Sequence, residues 1–382
     1  MAAINSVNTN RIKWCLNDRR ITTQELADQT GIDLEKLKAV LRNQDNLSLS
    51  QLKSVAKFFN RGLLFFVSKE DVKEEKLRTI GFRTVSNQHP NLDPNVKALM
   101  ERVERQRQVL MSLREELGED VQPKFQPPEL QSGNLKSAAA STRRWLSLNG
   151  GRTFDDYRRA IESRGVLVFL SNGYRGAWQV PSESEVAGFS IPHTHFPIIF
   201  VRKENSKQRQ LFTLAHELGH ILIHRTGSVD DEDDLYESTG KERDANAFAG
   251  HLLVPDDFLT QIDDREKPDL PDDFEAWLRP HTIHWGVSVE VILRRLINAS
   301  RVSRGEYRAY RKWKAERKRP ETSGGTRIYR YREPVHMFGK PFVGVVLDAL
   351  ATRHITATKA SRFLDNIKIT DVHKLEREFN AL

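Results

Sequence analysis

Two histidines and a glutamate stand at the spacing of a metal-binding helix. His216, Glu217 and His220 form the pattern HExxH within the segment QLFTLAHELGHILIH, whose apolar residues recur with helical period. Histidines four residues apart project from one helix face about one turn apart, which suits two ligands of a tetrahedral zinc ion. The intervening Glu217 can reach a water molecule on the metal and act as a general base. The pattern therefore predicts a hydrolytic zinc site.

A third protein ligand is available on the next predicted helix. Glu242 lies in the segment KERDANAFAGHLLVP, and with the two histidines it completes the His2Glu set of many hydrolytic zinc sites. Asn246 follows four residues later on the same face, where it could hydrogen-bond a ligand. The alternative is a pair of half-buried histidines without metal, but two imidazoles and two carboxylates on buried helix faces would be hard to satisfy otherwise. Zinc is the expected cofactor, and manganese could replace it.

Four further residues are weaker candidates for the site. His224 continues the histidine stripe, but the HxxGxxH extension that would make it a ligand is absent, so we interpret it as a packing residue or a hydrogen-bond partner of a ligand. A peptidase needs a donor for the oxyanion besides the metal. His193, His195 and Tyr236 are candidates for that donor, although each is more readily an ordinary surface or packing residue.

Composition limits the class of protein. The chain of 382 residues has 38% hydrophobic and 29% charged residues, which is typical of a soluble globular protein of two or three domains. It has no apolar run long enough to span a membrane and no signal-peptide pattern at its N-terminus, so we expect a cytoplasmic protein without a membrane partner. Its single cysteine, Cys15, excludes an internal disulfide and a thiolate cluster. The net charge of +8 suggests an acidic partner, for which nucleic acid is the first candidate.

The N-terminal segment predicts a small helical domain over residues 8–67. Residues 10–60 show four short helices, and Gly31 between the second and third supplies a tight turn typical of a helix-turn-helix. This segment resembles the repressor-type, XRE-like helix-turn-helix domain of phage regulators. The resemblance implies that the third helix contacts duplex DNA, through Lys36, Lys38 and Arg42. Protein–protein contact is the main alternative, because Asp33 and Glu35 at the start of that helix would repel phosphates.

Residues 68–134 are predicted to form a helical linker. Apolar residues alternate at spacings of four and three from Leu92 to Leu117, with Gln106 as the only polar member of the row. The row would suit either the seam of a coiled-coil homodimer or a long helix packed on its own chain. The proline-rich stretch at 121–134 is the best candidate for a flexible connection.

The rest of the chain predicts an α+β domain followed by a helical region. Between 135 and 300 we expect two helices, three strands (GVLVFL, EVAGFSI and FPIIFV) and a long helix over 207–224 that carries the HExxH pattern. The acidic run VDDEDD at 229–234 is interpreted as a solvated loop, with attraction of a basic substrate as the alternative. The C-terminal region over 301–382 is predicted to be basic and helical.

A basic and aromatic segment lies at 301–333. It holds twelve Lys or Arg against four acidic residues, and tyrosines and a tryptophan are interleaved with them. Guanidinium groups bind phosphate and aromatic rings stack on bases, so the segment predicts a single-strand nucleic-acid surface that includes Arg311, Lys312, Lys314 and Arg317. A solvated basic helix is the alternative.

The motifs of the central region resemble a known family. FTLAHELGHILIH followed by ERDANAFAGHLLVP is similar to the ImmA/IrrE metallopeptidases, over roughly residues 135–300. The resemblance implies a gluzincin-like fold, ligands at His216, His220 and Glu242, and Glu217 as the base. It also implies substrates that are helix-turn-helix repressors, a fused N-terminal helix-turn-helix, and an association with toxin or phage-defence genes.

Two functions fit these observations. The first is a zinc endopeptidase that cleaves a regulatory protein, which the family resemblance implies is a repressor, and that is coupled to nucleic-acid binding. The second is a DNA-binding regulator or antitoxin, with a toxin as partner, in which the peptidase-like domain acts as a sensor or scaffold. The intact Glu217 favours the first, since a scaffold would not require a carboxylate between the two histidines.

Overall fold

The computed structural model divides into two compact units, with the boundary after Arg102. It describes residues 7–19, 21–59, 61–70, 72, 94–119, 125–130, 133–148, 153–172, 176–180, 184, 186–204, 206–225, 228–231, 240–317 and 330–381.

The first unit is helical. Its four predicted helices are present and a fifth short one follows: α1 (Thr9–Arg19), α2 (Thr23–Thr30), α3 (Leu34–Leu41), α4 (Leu49–Phe58) and α5 (Leu63–Val67). Helices α2 and α4 begin at capping boxes formed by Thr22 and Ser48, and α2 ends at Gly31, whose φ of 68° places it in the left-handed region. The sequence of α5, LLFFV, has no polar face, which explains why periodicity did not indicate it. That this unit binds DNA stays a prediction.

Helix α6 (Pro94–Glu116) carries the apolar row that suggested a coiled coil. The row is buried within the single chain from Val96 to Leu113, including Gln106, whereas Leu92 lies outside the described residues. The Gln106 amide donates a hydrogen bond to the carbonyl of Phe363, 3.1 Å away, which accounts for the one polar member. The structure therefore favours a long helix packed on its own chain. The homodimer stays a prediction.

A four-stranded mixed sheet forms the centre of the second unit. Its spatial order is β1 (Leu167–Leu170), β3 (Ile198–Val201), β2 (Val186–Ile191), β4 (Ser228–Asp231). β1 and β3 are parallel, and the other two pairs are antiparallel. Every residue of β1 and β3 is buried, as expected for strands covered on both faces.

The three predicted strands are present, but the fourth was missed. The acidic run at 229–234 was interpreted as a loop, whereas its first three residues belong to β4 and the others lie outside the described residues. An edge strand is paired on one side only, so backbone pairing with β2 decides its structure rather than an apolar pattern.

Helices cover both faces of this sheet. The described helices that follow α6 are, in chain order, α7 (Leu135–Trp145), α8 (Phe154–Ser163), α9 (Lys207–Gly219), α10 (Gly240–Leu253), α11 (Asp256–Leu259), α12 (Phe274–Trp285), α13 (Val289–Asn298), α14 (Arg304–Glu316), α15 (Glu333–Ala351), α16 (Ala357–Phe363) and α17 (Ile369–Glu378). Val168 and Leu170 of β1 belong to the main apolar core with α8, α9 and α10. Phe169 points to the other face, where its ring lies 6.1 Å from Phe338 and 6.2 Å from Phe342 of α15. None of the helices within the described ranges is long and apolar enough to cross a membrane.

Arg158, a member of a buried ion pair on α8, connects α15 to the sheet by hydrogen bonds. Arg158 of α8 pairs with Glu162 at 2.8 Å and donates hydrogen bonds to the carbonyls of His336 and Val168. Burial raises the pKa of Glu162, and Arg158 opposes that shift. Helix α15 kinks at Gly339, whose φ is 78°, where its backbone passes directly over the Glu162 carboxylate. The C-terminal helices thus pack in the same unit as the sheet.

Candidate metal centre

Helix α9 presents the HExxH residues from a fully buried segment. Ser206 caps the helix, accepting a hydrogen bond from the backbone N–H of Arg209, and every residue from Gln210 to Gly219 is buried. At His220 the helix widens into a π-helical turn that runs to His224. Such turns occur frequently at functional sites.

Three donor atoms converge between α9 and α10. His216 Nε2 and His220 Nε2 lie 3.0 Å apart, and Glu242 Oε2 lies 3.1 Å from the first and 3.2 Å from the second. Both histidines are buried, whereas Glu242 is partly exposed. The structure thus brings together the three residues predicted as metal ligands, although Glu242 stands 22 positions after His220 in the chain.

The donor set fits a zinc ion. Zinc binds imidazole nitrogen and carboxylate oxygen at about 2.0–2.2 Å, so ligand atoms around one tetrahedral ion lie about 3.3–3.5 Å apart. The observed triangle of 3.0, 3.1 and 3.2 Å is close to that spacing. Two neutral imidazoles and one carboxylate carry a single negative charge, which suits a divalent cation at a site with one open position.

Two neighbouring side chains hold the imidazoles. Asn246 Oδ1 lies 3.0 Å from His216 Nδ1, and His224 Nδ1 lies 3.1 Å from His220 Nδ1. Both contacts are made on the ring nitrogen that faces away from the donor triangle. This is the arrangement by which outer partners orient metal-binding histidines. Asn246 is where the sequence predicted it, and His224 contacts a ligand rather than the triangle.

Local electrostatics keep the site in a metal-binding state. Burial raises the pKa of Glu242, but its hydrogen bonds and charge interactions with His216 and His220 outweigh burial, and the net pKa lies well below its ordinary value. Burial, together with the neighbouring His220 and Lys241, lowers the pKa of His224 to about 4. At neutral pH Glu242 is therefore ionised and His224 is neutral.

Glu217 occupies the gap between α9 and β2. Its side chain is completely buried, and its Oε1 lies against the backbone of β2 at Gly188. Thr213, one turn earlier on α9, contacts the same point of the strand. Sequence reasoning did not indicate Gly188 or Thr213, because neither belongs to a motif and only the packing of α9 on β2 brings them to Glu217.

Comparison with known proteins then identifies this part of the chain. Residues 162–297 match the family model described as IrrE N-terminal-like domain, Peptidase_M78. This segment is an IrrE N-terminal-like domain. It includes all four strands and the three donor residues, so the family resemblance seen in the sequence is confirmed for the peptidase region. No curated protein and no solved structure gives a significant match to the chain. The N-terminal helices lie outside the matched residues.

His193 and His195, two of the candidate oxyanion donors, make hydrogen bonds within their own loop. His193 Nδ1 accepts hydrogen bonds from the backbone N–H groups of His195 and Phe196, at 3.2 and 3.3 Å, and so folds the loop between β2 and β3. His195 Nδ1 pairs with the hydroxyl of Thr194 at 2.8 Å. Tyr236 lies outside the described residues. These contacts favour the alternative that His193 and His195 are packing residues of the loop.

The basic residues predicted on α3 are mostly paired. Lys36 lies 3.3 Å from Asp45 and Lys38 lies 2.7 Å from Glu35, whereas Arg42 is exposed just after the helix. The ion pairs reduce the positive charge that this helix can offer to DNA.

The aromatic residues of the basic segment are largely occupied in packing. Tyr310 and Tyr331 are buried, and Tyr329 lies outside the described residues. The guanidinium of Arg317 lies 4.4 Å from the ring centroid of Trp313. The burial of Tyr310 and Tyr331 favours the alternative of a solvated basic helix, because buried rings are not available to stack on bases. On α14 the helical period that exposes the basic residues turns Tyr310 into the core. Arg311, Lys312 and Arg317 are exposed, and Lys314 is half-buried, 3.3 Å from Glu275.

Proposed function

We propose that this protein is a zinc-dependent endopeptidase that cleaves a regulatory protein. The observation that supports the proposal most strongly is the convergence of His216 Nε2, His220 Nε2 and Glu242 Oε2 within 3.0–3.2 Å of one another. Glu217, which is buried, lies beside His216 on α9. The family of the domain supports a metallopeptidase-type activity, and the donor chemistry supports zinc.

The chain's own residues divide the chemistry between them. His216, His220 and Glu242 would hold a zinc ion, which when bound would supply Lewis acidity at the scissile carbonyl. Glu217 takes a proton from the attacking water while the oxygen of that water bonds to the carbonyl carbon. It then gives the proton to the leaving amine as the C–N bond breaks. Asn246 holds the His216 imidazole in place during this exchange.

The substrate class follows from the family resemblance. We infer a helix-turn-helix repressor as the protein substrate and the cytoplasm as the compartment. The N-terminal helical unit would bind either the operator DNA of that repressor or the repressor itself, and would thereby place the peptidase beside its substrate.

The decisive experiment identifies new N-termini. A lysate of the source organism would be incubated with the zinc-loaded protein or with its Glu217→Gln variant, and N-terminal peptides would be labelled and sequenced by mass spectrometry. The proposal expects one or a few cleavage sites with the wild-type protein and none with the variant, because the amide cannot accept the proton. If both proteins gave the same N-termini, the endopeptidase assignment would be rejected.

A second function is a DNA-binding regulator or antitoxin that does not need cleavage. The helical N-terminal unit and the exposed basic face of α14 support it. A cell-based assay separates the two functions: a regulator of this kind retains its effect on gene expression or toxicity in the Glu217→Gln variant, whereas a peptidase loses it. The genes adjacent to its own would name the partner, a repressor for the first function or a toxin for the second.

A further inference from the structure

Strand β2 passes very close to the proposed base. Gly188 is buried in this strand, and a Cβ atom at that position would lie 2.9 Å from Glu217 Oε1, 2.7 Å from Thr213 Cγ2 and 2.9 Å from the carbonyl oxygen of Phe200. Real side chains essentially never make contacts this short. Glycine is therefore the one residue that lets the strand, the carboxylate and the threonine occupy their present positions.

Two of the three neighbouring groups cannot easily move. The Phe200 carbonyl belongs to β3, which is paired with β1 on one side and β2 on the other. Thr213 is β-branched and fully buried in the middle of α9, so its rotamer is restricted. The Glu217 side chain is the longest and most flexible of the three. A methyl group at position 188 would consequently displace the carboxylate first.

The strand also departs from regular pairing at this point. The register between β2 and β4 shifts between Val186 and Gly188, so that Val186 pairs with Asp231 while Gly188 pairs with Asp230. Irregularities of this kind re-aim a strand and are over-represented beside active sites.

We propose that Gly188 is a positioning residue for Glu217, because its missing side chain provides the space that the carboxylate of the base occupies. The proposal rests on the proposed function of Glu217 as the general base. It assigns to β2 a role in the reaction that is separate from holding the metal, since none of the three metal donors contributes to the contact at Gly188.

The first test measures the contact without reference to activity. Thermal unfolding of the full-length protein would be compared for wild type, Gly188→Ala, Glu217→Ala and the double variant. Glu217→Ala removes the oxygen that collides with the new methyl group, so the loss of unfolding temperature caused by Gly188→Ala should be smaller in the Glu217→Ala background. Strict additivity of the two changes would reject the contact.

The second test measures the role in catalysis. With the peptide that spans the cleavage site mapped in the lysate, Gly188→Ala should lower kcat by about 100-fold, the loss expected for a displacement of about 1 Å, with little change in KM. Its zinc content should stay at the wild-type level. Adding Thr213→Ser, which removes the Cγ2 methyl group nearest to the new side chain, should restore part of the activity. A merely structural effect would lower zinc content or unfolding temperature together with kcat.

A matched control is Gly344→Ala on α15, where the nearest atoms to the new methyl group belong to the Phe379 ring at 3.5 Å, an ordinary contact. This variant should keep wild-type kcat. Wild-type kcat in Gly188→Ala would overturn the proposal. Absence of cleavage by the wild-type protein would instead reject the proposed function, and the unfolding measurements would still decide whether Gly188 makes room for Glu217.

Discussion

At the scale of single residues, hydrogen bonds outside the metal centre select the tautomer of each histidine. The Asn246 amide oxygen can only accept, so His216 must carry its proton on Nδ1, and its Nε2 lone pair is left for a metal. His224 is neutral at pH 7, and its Nδ1 can accept a hydrogen bond from the N–H at His220 Nδ1 in the same way. With a metal bound, this tautomer would present the unprotonated Nε2 of each histidine on the side of Glu242, and the metal would replace the hydrogen bonds that the two rings make to the carboxylate.

Asn246→Leu should therefore weaken zinc binding. Removing the partner that orients a metal-binding histidine typically costs about 10- to 100-fold in metal affinity. Competition with a chromophoric chelator would measure the dissociation constant for zinc. Arg243→Gln changes an exposed residue on the same helix and should leave the constant unchanged, and an unaltered affinity in Asn246→Leu would contradict the role given to the amide.

Mutations of the metal ligands and of the base should have different effects on zinc content and on cleavage. Purified wild-type protein should carry about one zinc per chain, whereas His216→Ala and Glu242→Ala should lose it, since each removes one of three protein donors. Glu217→Gln should keep the metal and the fold but lose cleavage, because it removes a base and no ligand. Elemental analysis would measure the zinc content per chain of the wild type and the three variants. Full zinc content in either ligand variant would rule out the site.

At the scale of secondary-structure elements, the C-terminal half of α6 secures the loop between β2 and β3. Arg107 and Glu104 form a buried ion pair at 2.5 Å, and Arg107 also donates to the carbonyl of Phe196 at 3.3 Å. The guanidinium of Arg114 lies 5.2 Å from the centre of the Phe196 ring. This loop follows the strand that contains Gly188, so α6 stabilises the strand ends beside the proposed base.

The same loop should make the protein sensitive to mild acid. Burial, followed by the charges of Arg107 and His195, lowers the pKa of His193 to about 4, from about 6.5 in an unfolded chain. Because the folded form resists protonation, its contribution to stability is present above pH 6.5 and is lost as pH falls from 6.5 to 4. His193→Asn keeps an acceptor for the two backbone N–H groups but cannot titrate, so its unfolding temperature should fall less than that of wild type over this range.

If the unfolding temperatures of the two proteins fell by the same amount between pH 6.5 and 4, this prediction would be contradicted. Thermal unfolding followed by circular dichroism at half-unit pH steps is the appropriate measurement. The difference between the two proteins isolates His193 from the other histidines, which titrate in both.

At the scale of the whole molecule, helix α14 carries a row of basic residues on the side opposite the buried Tyr310. Arg304, Arg308 and Lys312 of α14 are spaced four residues apart, all are exposed, and none forms an ion pair with another residue in the described part of the chain. Successive members of this stripe rise by about 6 Å along the helix. Tyr310 is buried beneath this stripe, so its ring cannot stack on a base. Exposed basic side chains without accessible aromatic rings suit the phosphate backbone of a duplex better than the bases of a single strand.

Replacing these three residues with glutamine should weaken binding to duplex DNA. If each neutralises one phosphate, the slope of log affinity against log salt should become shallower by about 2.7, which is three times about 0.9. Fluorescence anisotropy with a labelled duplex between low and moderate salt would measure the slope. A control variant with Arg144, Lys207 and Arg279 replaced removes the same charge from other exposed positions.

Equal effects in the two triple variants would show that net charge alone governs binding, and the stripe would then have no specific role. Tighter binding of a single strand than of a duplex would contradict the preference for duplex. The corresponding test of the N-terminal unit is Arg42→Gln, since Arg42 is exposed whereas Lys36 and Lys38 are paired.

The amino-acid sequence by itself determined the features that depend on near neighbours. The HExxH spacing predicted two histidines on one helix face, because 3.6 residues per turn fixes that geometry locally. The capping boxes of Thr22 and Ser48 at the starts of α2 and α4 are local in the same way, because each joins residues only three apart in the chain. Buried strands such as β1 were evident from continuous apolar runs.

Only the tertiary structure decided the features that depend on distant segments. The close approach of Gly188 to Glu217 and the pairing of β4 with β2 are contacts between residues far apart in the chain, and no local pattern encodes them. The face on which Tyr310 lies was likewise settled by packing of α14 against the core. The physical reason is that local spacing fixes the direction of a side chain relative to its own helix or strand, whereas burial of apolar surface among several elements determines what that side chain meets.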